Sequence, residues 1–254
     1  MYTPQTKGKE KFIKARKILE EEGVKSLFVK LFLFFIYSPI RNILLFFSSV
    51  VIFFKPKGFF SFQGKRLPYF YNRYNTTWKN ERVIEVPIII EYLKKFSSKR
   101  ILEFGAVLTH YYPIRWDVID KYERGKSIIN EDVINFKPIN KYDLIVSIST
   151  LEHVGFDEKI QDPLKISKSI KNLKENCLNN GGKGVITMPI GYNPNMDEFL
   201  FSNKLGFDKK IFLKRINKKN EWKEVSEEKV RGTKYNFPFN AANAIVIGII
   251  QSKE

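Results

Sequence analysis

An alternation constrains this chain most. From residue 83 to the end, short runs rich in Ile, Val and Leu alternate with amphipathic stretches, the pattern of a parallel sheet whose connections are covering helices. A helix is expected over 81–96, then strands over 100–104, 116–120, 127–130 and 142–147. A second helix over 162–178 turns Leu164, Ile166, Ile170, Leu173 and Leu178 inward and ends at Asn179-Asn180-Gly181-Gly182, residues whose turn chemistry stops a helix. Strands over 183–188, 210–216 and 244–251 complete the pattern, with a helix over 194–205. The expectation is a seven-stranded, mostly parallel α/β sheet of Rossmann-like type with helices on both faces. Such a sheet holds its ligand at the carboxyl ends of the strands where the strand order reverses. The loops after the first, second and fourth strands are therefore where chemistry is expected.

The amino-terminal quarter reads differently. Residues 7–22 place Phe12, Ala15, Ile18 and Leu19 near one helical face with lysines opposite. Residues 24–54 are almost continuously apolar but broken in the middle by Ser38-Pro39 and Arg41-Asn42, which leaves each half short of a spanning helix. Both flanks are basic: residues 1–66 hold 13 Lys and Arg against 4 Glu, so +9 of the net +17 sits here. The reading is a helical appendage over 1–60 that lies on an anionic membrane surface at the cytoplasmic face, as a peripheral or monotopic anchor. A lid or substrate segment is expected over 61–82 and the catalytic domain over 83–254. The remaining charge does not point to nucleic acid, since 34 of 44 basic residues are Lys and recognition of bases and phosphates favours guanidinium. The lone Cys177 excludes a disulfide framework and any multi-cysteine metal site, and no metal is expected.

The three loops are chemically loaded. Glu103-Phe104-Gly105-Ala106 follows the first strand. The glycine permits a tight turn, and Glu103 can orient that turn or accept from a cation. Gly105 lacks the partner glycines of a pyrophosphate loop, which argues against NAD and FAD. Asp120 ends the second strand, where a carboxylate accepts from ribose hydroxyls. Asp132 and Val133 follow the third, within reach of a base. Thr150-Leu151-Glu152-His153 follows the fourth, at the reactive end.

These segments resemble class I S-adenosylmethionine-dependent methyltransferases, through ILEFG, VIDKYE, EDV, YDLIVSISTLEHVG and GGKGVITMP in that order. More narrowly, Tyr74 to Arg82 (YNTTWKNER), STLEHVG and PIGYNP resemble a bacterial and archaeal group encoded among surface-glycan biosynthesis genes. The likeness covers about residues 70–200. It implies S-adenosyl-L-methionine as cofactor, with Glu103, Gly105, Ala106, Asp120, Asp132, Val133, Thr150 and Leu151 around it. Ala106 stands where that group usually has Asn.

His110 and His153 are the chain's only histidines, and both fall in these loops. His153, whose ordinary pKa is near neutral, is the expected proton acceptor, with Glu152 as the alternative base. Tyr74, Asn75, Trp78, Glu81, Arg82, Asp157, Tyr192 and Asn193 are the expected acceptor-binding set, with Glu81 and Arg82 suited to positioning a carboxylate. The resemblance and the appendage imply methyl transfer to an oxygen of a glycan or lipid-linked saccharide. Two alternatives stand beside it: a non-catalytic scaffold of a membrane glycan-assembly complex, and a nucleic-acid methyltransferase. The second is opposed by the Lys-over-Arg bias and by Ser-Thr-Leu-Glu-His in place of an Asn/Asp-Pro-Pro-Tyr type loop.

Overall fold

A computed structural model describes residues 58–125 and 127–252, together with Val50 and Ile52. Apart from those two positions, the described residues belong to one unit, Pro56–Glu254. Apart from Val50 and Ile52, the amphipathic helix and the broken apolar stretch expected over 7–54 lie outside the described residues. Among the latter, no helix is long and apolar enough to cross a membrane.

The first element is a hairpin, β1 (Phe59–Phe62) and β2 (Lys65–Pro68), paired antiparallel. Gln63 and Gly64 join the strands, both with positive φ (48° and 74°), the backbone that a two-residue hairpin turn demands. Tyr74–Lys79 then forms a 3-10 turn, and α1 follows over Arg82–Lys95. Pro87 sits inside α1 and has no N–H for the carbonyl of Val83. That carbonyl instead accepts the N–H of Phe70 (2.9 Å), which fastens the segment before the helix to the helix itself.

The main sheet contains β3 (Ile101–Phe104), β4 (Asp117–Ile119), β5 (Ile128–Ile129), β6 (Tyr142–Ile148), β7 (Leu178–Pro189), β8 (Lys209–Arg215), β9 (Trp222–Val225) and β10 (Ala244–Gln251). Their order is β5-β4-β3-β6-β7-β10-β8-β9. The five strands from β5 to β7 run parallel, and β10, β8 and β9 pair antiparallel. Chain order runs outward from β3 to β5, then restarts on the other side of β3 with β6. The reversal thus falls between β3 and β6.

Alternate residues of each strand serve two cores. Leu144, Val146, Ile148, Ile245 and Ile247 pack with α1 and the hairpin. Leu102, Phe104, Ile145, Ile186 and Val246 pack with α2 (Lys165–Asn172) and α3 (Pro194–Phe201) on the other face.

The α/β sheet with helices on both faces is as expected, with differences of detail. The sheet has eight strands because Trp222–Val225, short and largely polar, adds an edge that apolar runs do not reveal. The helix expected over 162–178 is α-helical only over Lys165–Asn172 and finishes in one π turn, Leu173–Cys177. Asn179 to Gly182 does not follow that helix as a free turn. It loops out of β7, so that Tyr142 pairs with Leu178 and Leu144 with Lys183.

Candidate active site

A cavity of about 280 Å3 opens at the carboxyl ends of β3, β4 and β6, beside the reversal in strand order. Phe104, Asp120, Lys121, Tyr122, Asp132, Val133, Ser149, Thr150, His153, Val154 and Glu158 are among its walls.

The loop after β3 is built around Gly105. Its φ is +85°, and a Cβ there would lie 2.1 Å from Thr150 Oγ1, so only glycine lets the two loops meet. Asp120 stands at the end of β4 with its carboxylate already oriented. Oδ1 accepts the N–H groups of Tyr122 and Glu123 (2.8 Å each), and Oδ2 accepts that of Ala106 (3.2 Å). Oδ2 keeps a further lone pair for a ligand hydroxyl.

Glu103, read from the sequence among the cofactor contacts, is fully buried and spends both oxygens inside the protein. Oε1 accepts the Leu108 N–H (2.6 Å) and Oε2 the Trp116 indole N–H (3.0 Å). It shapes the loop and does not line the cavity. Burial pushes its pKa up to about 7, against those hydrogen bonds. Leu151 is likewise buried in the core, and Ala106 contributes its backbone N–H to Asp120.

One end of the cavity is closed by four charges in a ring. Lys121 Nζ reaches Asp132 Oδ2 (2.8 Å) and Glu158 Oε2 (3.3 Å), while Lys165 Nζ reaches Asp132 Oδ2 (2.6 Å) and both oxygens of Glu158 (2.7 Å each). Burial disfavours ionisation of Asp132 and Glu158, but the ammonium groups outweigh it and hold both carboxyls below their ordinary range. Lys121, Lys165 and Glu158 were not legible as site residues, because their partners lie up to 37 residues away.

The other end is centred on His153. Its Nδ1 lies 2.5 Å from Asp157 Oδ2, which also accepts the Tyr192 hydroxyl (2.7 Å). Burial opposes ionisation of Asp157, yet these partners keep its carboxyl below the usual range. An ionised Asp157 can only accept, so Nδ1 carries the proton and Nε2 is left as the basic nitrogen. Nε2 lies 3.5 Å from Glu152 Oε1. Glu152 is almost fully buried, and its Oε2 has no hydrogen-bond partner among the described residues. Burial pushes its pKa well up. Asp157, expected to bind an acceptor, thus holds the histidine instead.

Behind this end lies a second buried cluster. Arg82 pairs with Glu85 and donates to the carbonyl of Ser149 (3.5 Å), and Ser149 Oγ donates to Glu85 Oε1 (2.7 Å). With its N–H donated to the Thr187 carbonyl (2.9 Å) as well, Ser149 is restrained on three sides, which explains how it holds a φ of +34° on the cavity wall. Because Arg82 is spent on Glu85, it is not free for a substrate carboxylate. Glu81 accepts from the Ala242 N–H (3.1 Å), and burial followed by the charge of Glu85 raises its pKa.

The remaining sequence candidates scatter. Tyr74 is half-exposed and stacks on His110 (4.4 Å), while Trp78 is core. Asn75 has a positive φ, and its carbonyl accepts from Asn80. Asn193 is buried and caps α3, accepting from Asn195 and Met196 and donating to the Glu152 carbonyl (2.8 Å). Tyr192 makes edge contacts with His153, Phe156 and Tyr235.

No known family and no curated protein matches this sequence. Solved structures do. The N-methyltransferase NodS of Bradyrhizobium japonicum WM9, in complex with S-adenosyl-L-homocysteine, is 15% identical, covering 69% of this chain and 94% of its own with a TM-score of 0.40. TehB of Haemophilus influenzae is 14% identical over 72% of this chain and 67% of its own, with a TM-score of 0.44. The 1,6-didemethyltoxoflavin-N1-methyltransferase of Burkholderia thailandensis, also with S-adenosylhomocysteine, is 12% identical over 72% and 84%, with a TM-score of 0.42.

Proposed function

We propose that the protein is an S-adenosylmethionine-dependent methyltransferase acting on an oxygen of a glycan or lipid-linked saccharide, held at the cytoplasmic membrane face by residues 1–60. The observation that carries the cofactor reading is the polarity of the cavity at the strand reversal. It offers carboxylates at Asp120 and Asp132 and apolar surface at Phe104, Val133 and Val154. Its ammonium group, on Lys121, is already paired with Asp132 and Glu158. Such a wall suits a nucleoside with hydroxyl and amine donors and gives nothing to a pyrophosphate.

When bound, S-adenosylmethionine supplies an electrophilic methyl group on a sulfonium. Asp120, preset by three backbone N–H groups, would hold the ribose hydroxyls without reorganising. His153 Nε2 would take the proton of an attacking hydroxyl, while Asp157 fixes the ring and stabilises its charged form. Tyr192, Phe156 and Tyr235 beside His153 provide flat apolar faces of the kind on which sugar rings pack. The saccharide class rests on the motif resemblance and on the basic, apolar appendage.

Calorimetry of the full chain with S-adenosylhomocysteine tests the cofactor. Binding is expected, with Asp120→Ala weakening it about 10- to 100-fold; a wild-type chain that binds nothing overturns the reading. Flotation with anionic liposomes tests the membrane, and recovery wholly in the soluble fraction at low salt counts against it. Label from the methyl donor appearing in a lipid-linked saccharide fraction tests the acceptor.

A further inference from the structure

A second cavity, of about 520 Å3, opens at the opposite ends of the same strands, beside Ile101 and Asp117 where β3 and β4 begin. The end of α1 brings Leu93 to its wall, and Ser97, Lys99 and Arg100 follow as the chain passes from helix to strand. That stretch, Lys94-Lys95-Phe96-Ser97-Ser98-Lys99-Arg100, holds four basic residues and no acidic one. Arg115 and Trp116 join the wall from the chain leading into β4.

One of the three cations on this wall is neutralised inside the protein. Arg100 donates to Asp117 Oδ2 (3.1 Å), and its guanidinium lies over the ring of Tyr142 (4.7 Å), whose hydroxyl donates to the same oxygen (2.9 Å). Arg100 is thereby fixed and Asp117 is spent. Among the described residues this is the wall's one ion pair, and Lys99 and Arg115 have none. Asp143, outside the wall, has its carboxylate occupied by the Asn179 amide and the Arg100 N–H (2.9 Å each). Those bonds, with a smaller pull from Lys99, hold it below the usual carboxylate range. The wall thus carries Lys99, Arg100 and Arg115 against Asp117 alone. The last carbonyls of α1 disfavour an anion here, and Lys94 and Lys95 in its final turn offset them.

We propose that this cavity is a binding site for a phosphomonoester, held by Arg115 and Lys99 together with the prefixed Arg100. A phosphomonoester carries about −1.5 to −2 charges at pH 7 and three strong acceptor oxygens. It therefore matches the excess of positive charge and the two guanidinium forks, where a carboxylate supplies one charge and two oxygens. The volume exceeds that of a phosphate alone and falls in the range of about 300–1,000 Å3 common to small-molecule sites. Leu93, Ile101 and Trp116 supply apolar surface for the rest of the ligand. A soluble sugar phosphate and a lipid headgroup present the same phosphate chemistry. The proposal stands on this wall alone and is independent of the methyltransferase reading.

The test is calorimetry of the full chain with glycerol 3-phosphate at constant ionic strength, with glycerol as the uncharged control. Wild type is expected to bind the phosphate saturably and the glycerol not at all. Arg115→Gln is expected to weaken binding about tenfold, and Arg115→Gln/Lys99→Gln about 100-fold. Both side chains are exposed, so the melting temperature of the double variant is expected to match that of wild type, which separates lost binding from lost folding. The source of the phosphate is read from flotation of the same proteins with phosphatidylcholine vesicles containing phosphatidic acid, a monoester, or phosphatidylglycerol, a diester, at equal surface charge. A preference for phosphatidic acid that the double variant loses identifies a lipid headgroup. No such preference, with glycerol 3-phosphate binding still sensitive to the substitutions, identifies a soluble ester. Wild type that binds glycerol 3-phosphate no better than glycerol and shows no vesicle preference overturns the proposal, as does equal binding by the folded double variant.

Discussion

The two ends of the cavity hold glutamates in opposite electrostatic states. At the ring end, Asp132 and Glu158 each face two ammonium groups and stay ionised. At the histidine end, Glu152 and Glu81 are buried with too little positive charge, since Arg82 is taken by Glu85, and their protons are held more tightly. The contrast separates recognition from proton transfer. A fixed ion recognises a donor well because it does not change state, whereas a site that moves protons needs groups whose charge can change.

The largest expected break in that contrast comes from His153→Ala. Turnover should fall about 10²- to 10⁴-fold while S-adenosylhomocysteine affinity stays within about twofold, because the ring end is untouched. Unchanged turnover would dismiss His153 as the base. Asp157→Asn sharpens the same point. It should cost less, lowering kcat while S-adenosylhomocysteine affinity holds, a split that a purely structural role for Asp157 would not produce.

Gly155→Ala should disturb both ends together. Its positive φ costs about 1–3 kcal/mol for a residue with a Cβ, and the contact with the Asp162 carbonyl oxygen forces the loop open. Thermal unfolding should fall, and ligand affinity and turnover should both decline. A variant that loses one and keeps the other would show that the ends are independent.

The smallest effects are expected in pH-dependent stability, and they have opposite signs. Glu152 has a raised pKa in the folded protein, so the stability it contributes is present below its unfolded value of about 4.3 and is lost as pH rises. Glu152→Gln should flatten that decline. Glu158 has a lowered pKa, so its contribution is present above that value and is lost as pH falls through the folded one. Glu158→Gln should weaken the protein at neutral pH and leave it little changed in acid. Melting temperatures between about pH 2 and 9 would check both, and slopes of equal sign would contradict the contrast.

Much of the fold was readable because strands buried on both faces are nearly continuous apolar runs, as in Leu144 to Ile148 and Ala244 to Ile250. Strand β9 and the hairpin escaped because WKEV and KRLP bury little, although Gln63-Gly64 was an available turn signal. At the site, Asp120, Thr150 and His153 were legible from their positions after strands. For Glu103 the sequence leaves both orienting the turn and contacting a ligand open, because a carboxylate ending a strand looks the same whether it faces a cavity or the indole of Trp116; the fold gives it the turn. The ring around Asp132 was invisible for a different reason: Lys121, Glu158 and Lys165 occur among 34 Lys and 27 acidic residues, and only the fold brings these three to it. Asn193 shows the converse, a residue singled out for polarity whose side chain is consumed in starting α3.

Pro87 has a consequence for how the segment before α1 is held. A proline within a helix is ordinarily a defect, yet here the acceptor it leaves idle on Val83 is what Phe70 uses. Phe70 in turn meets Tyr111 edge-on at 5.1 Å, and Tyr111 also packs against Tyr74. These three rings are thus moored by a hydrogen that the helix does not possess. Restoring that hydrogen would make α1 a better helix and let the rings drift, so an improvement in the part would be a loss to the whole.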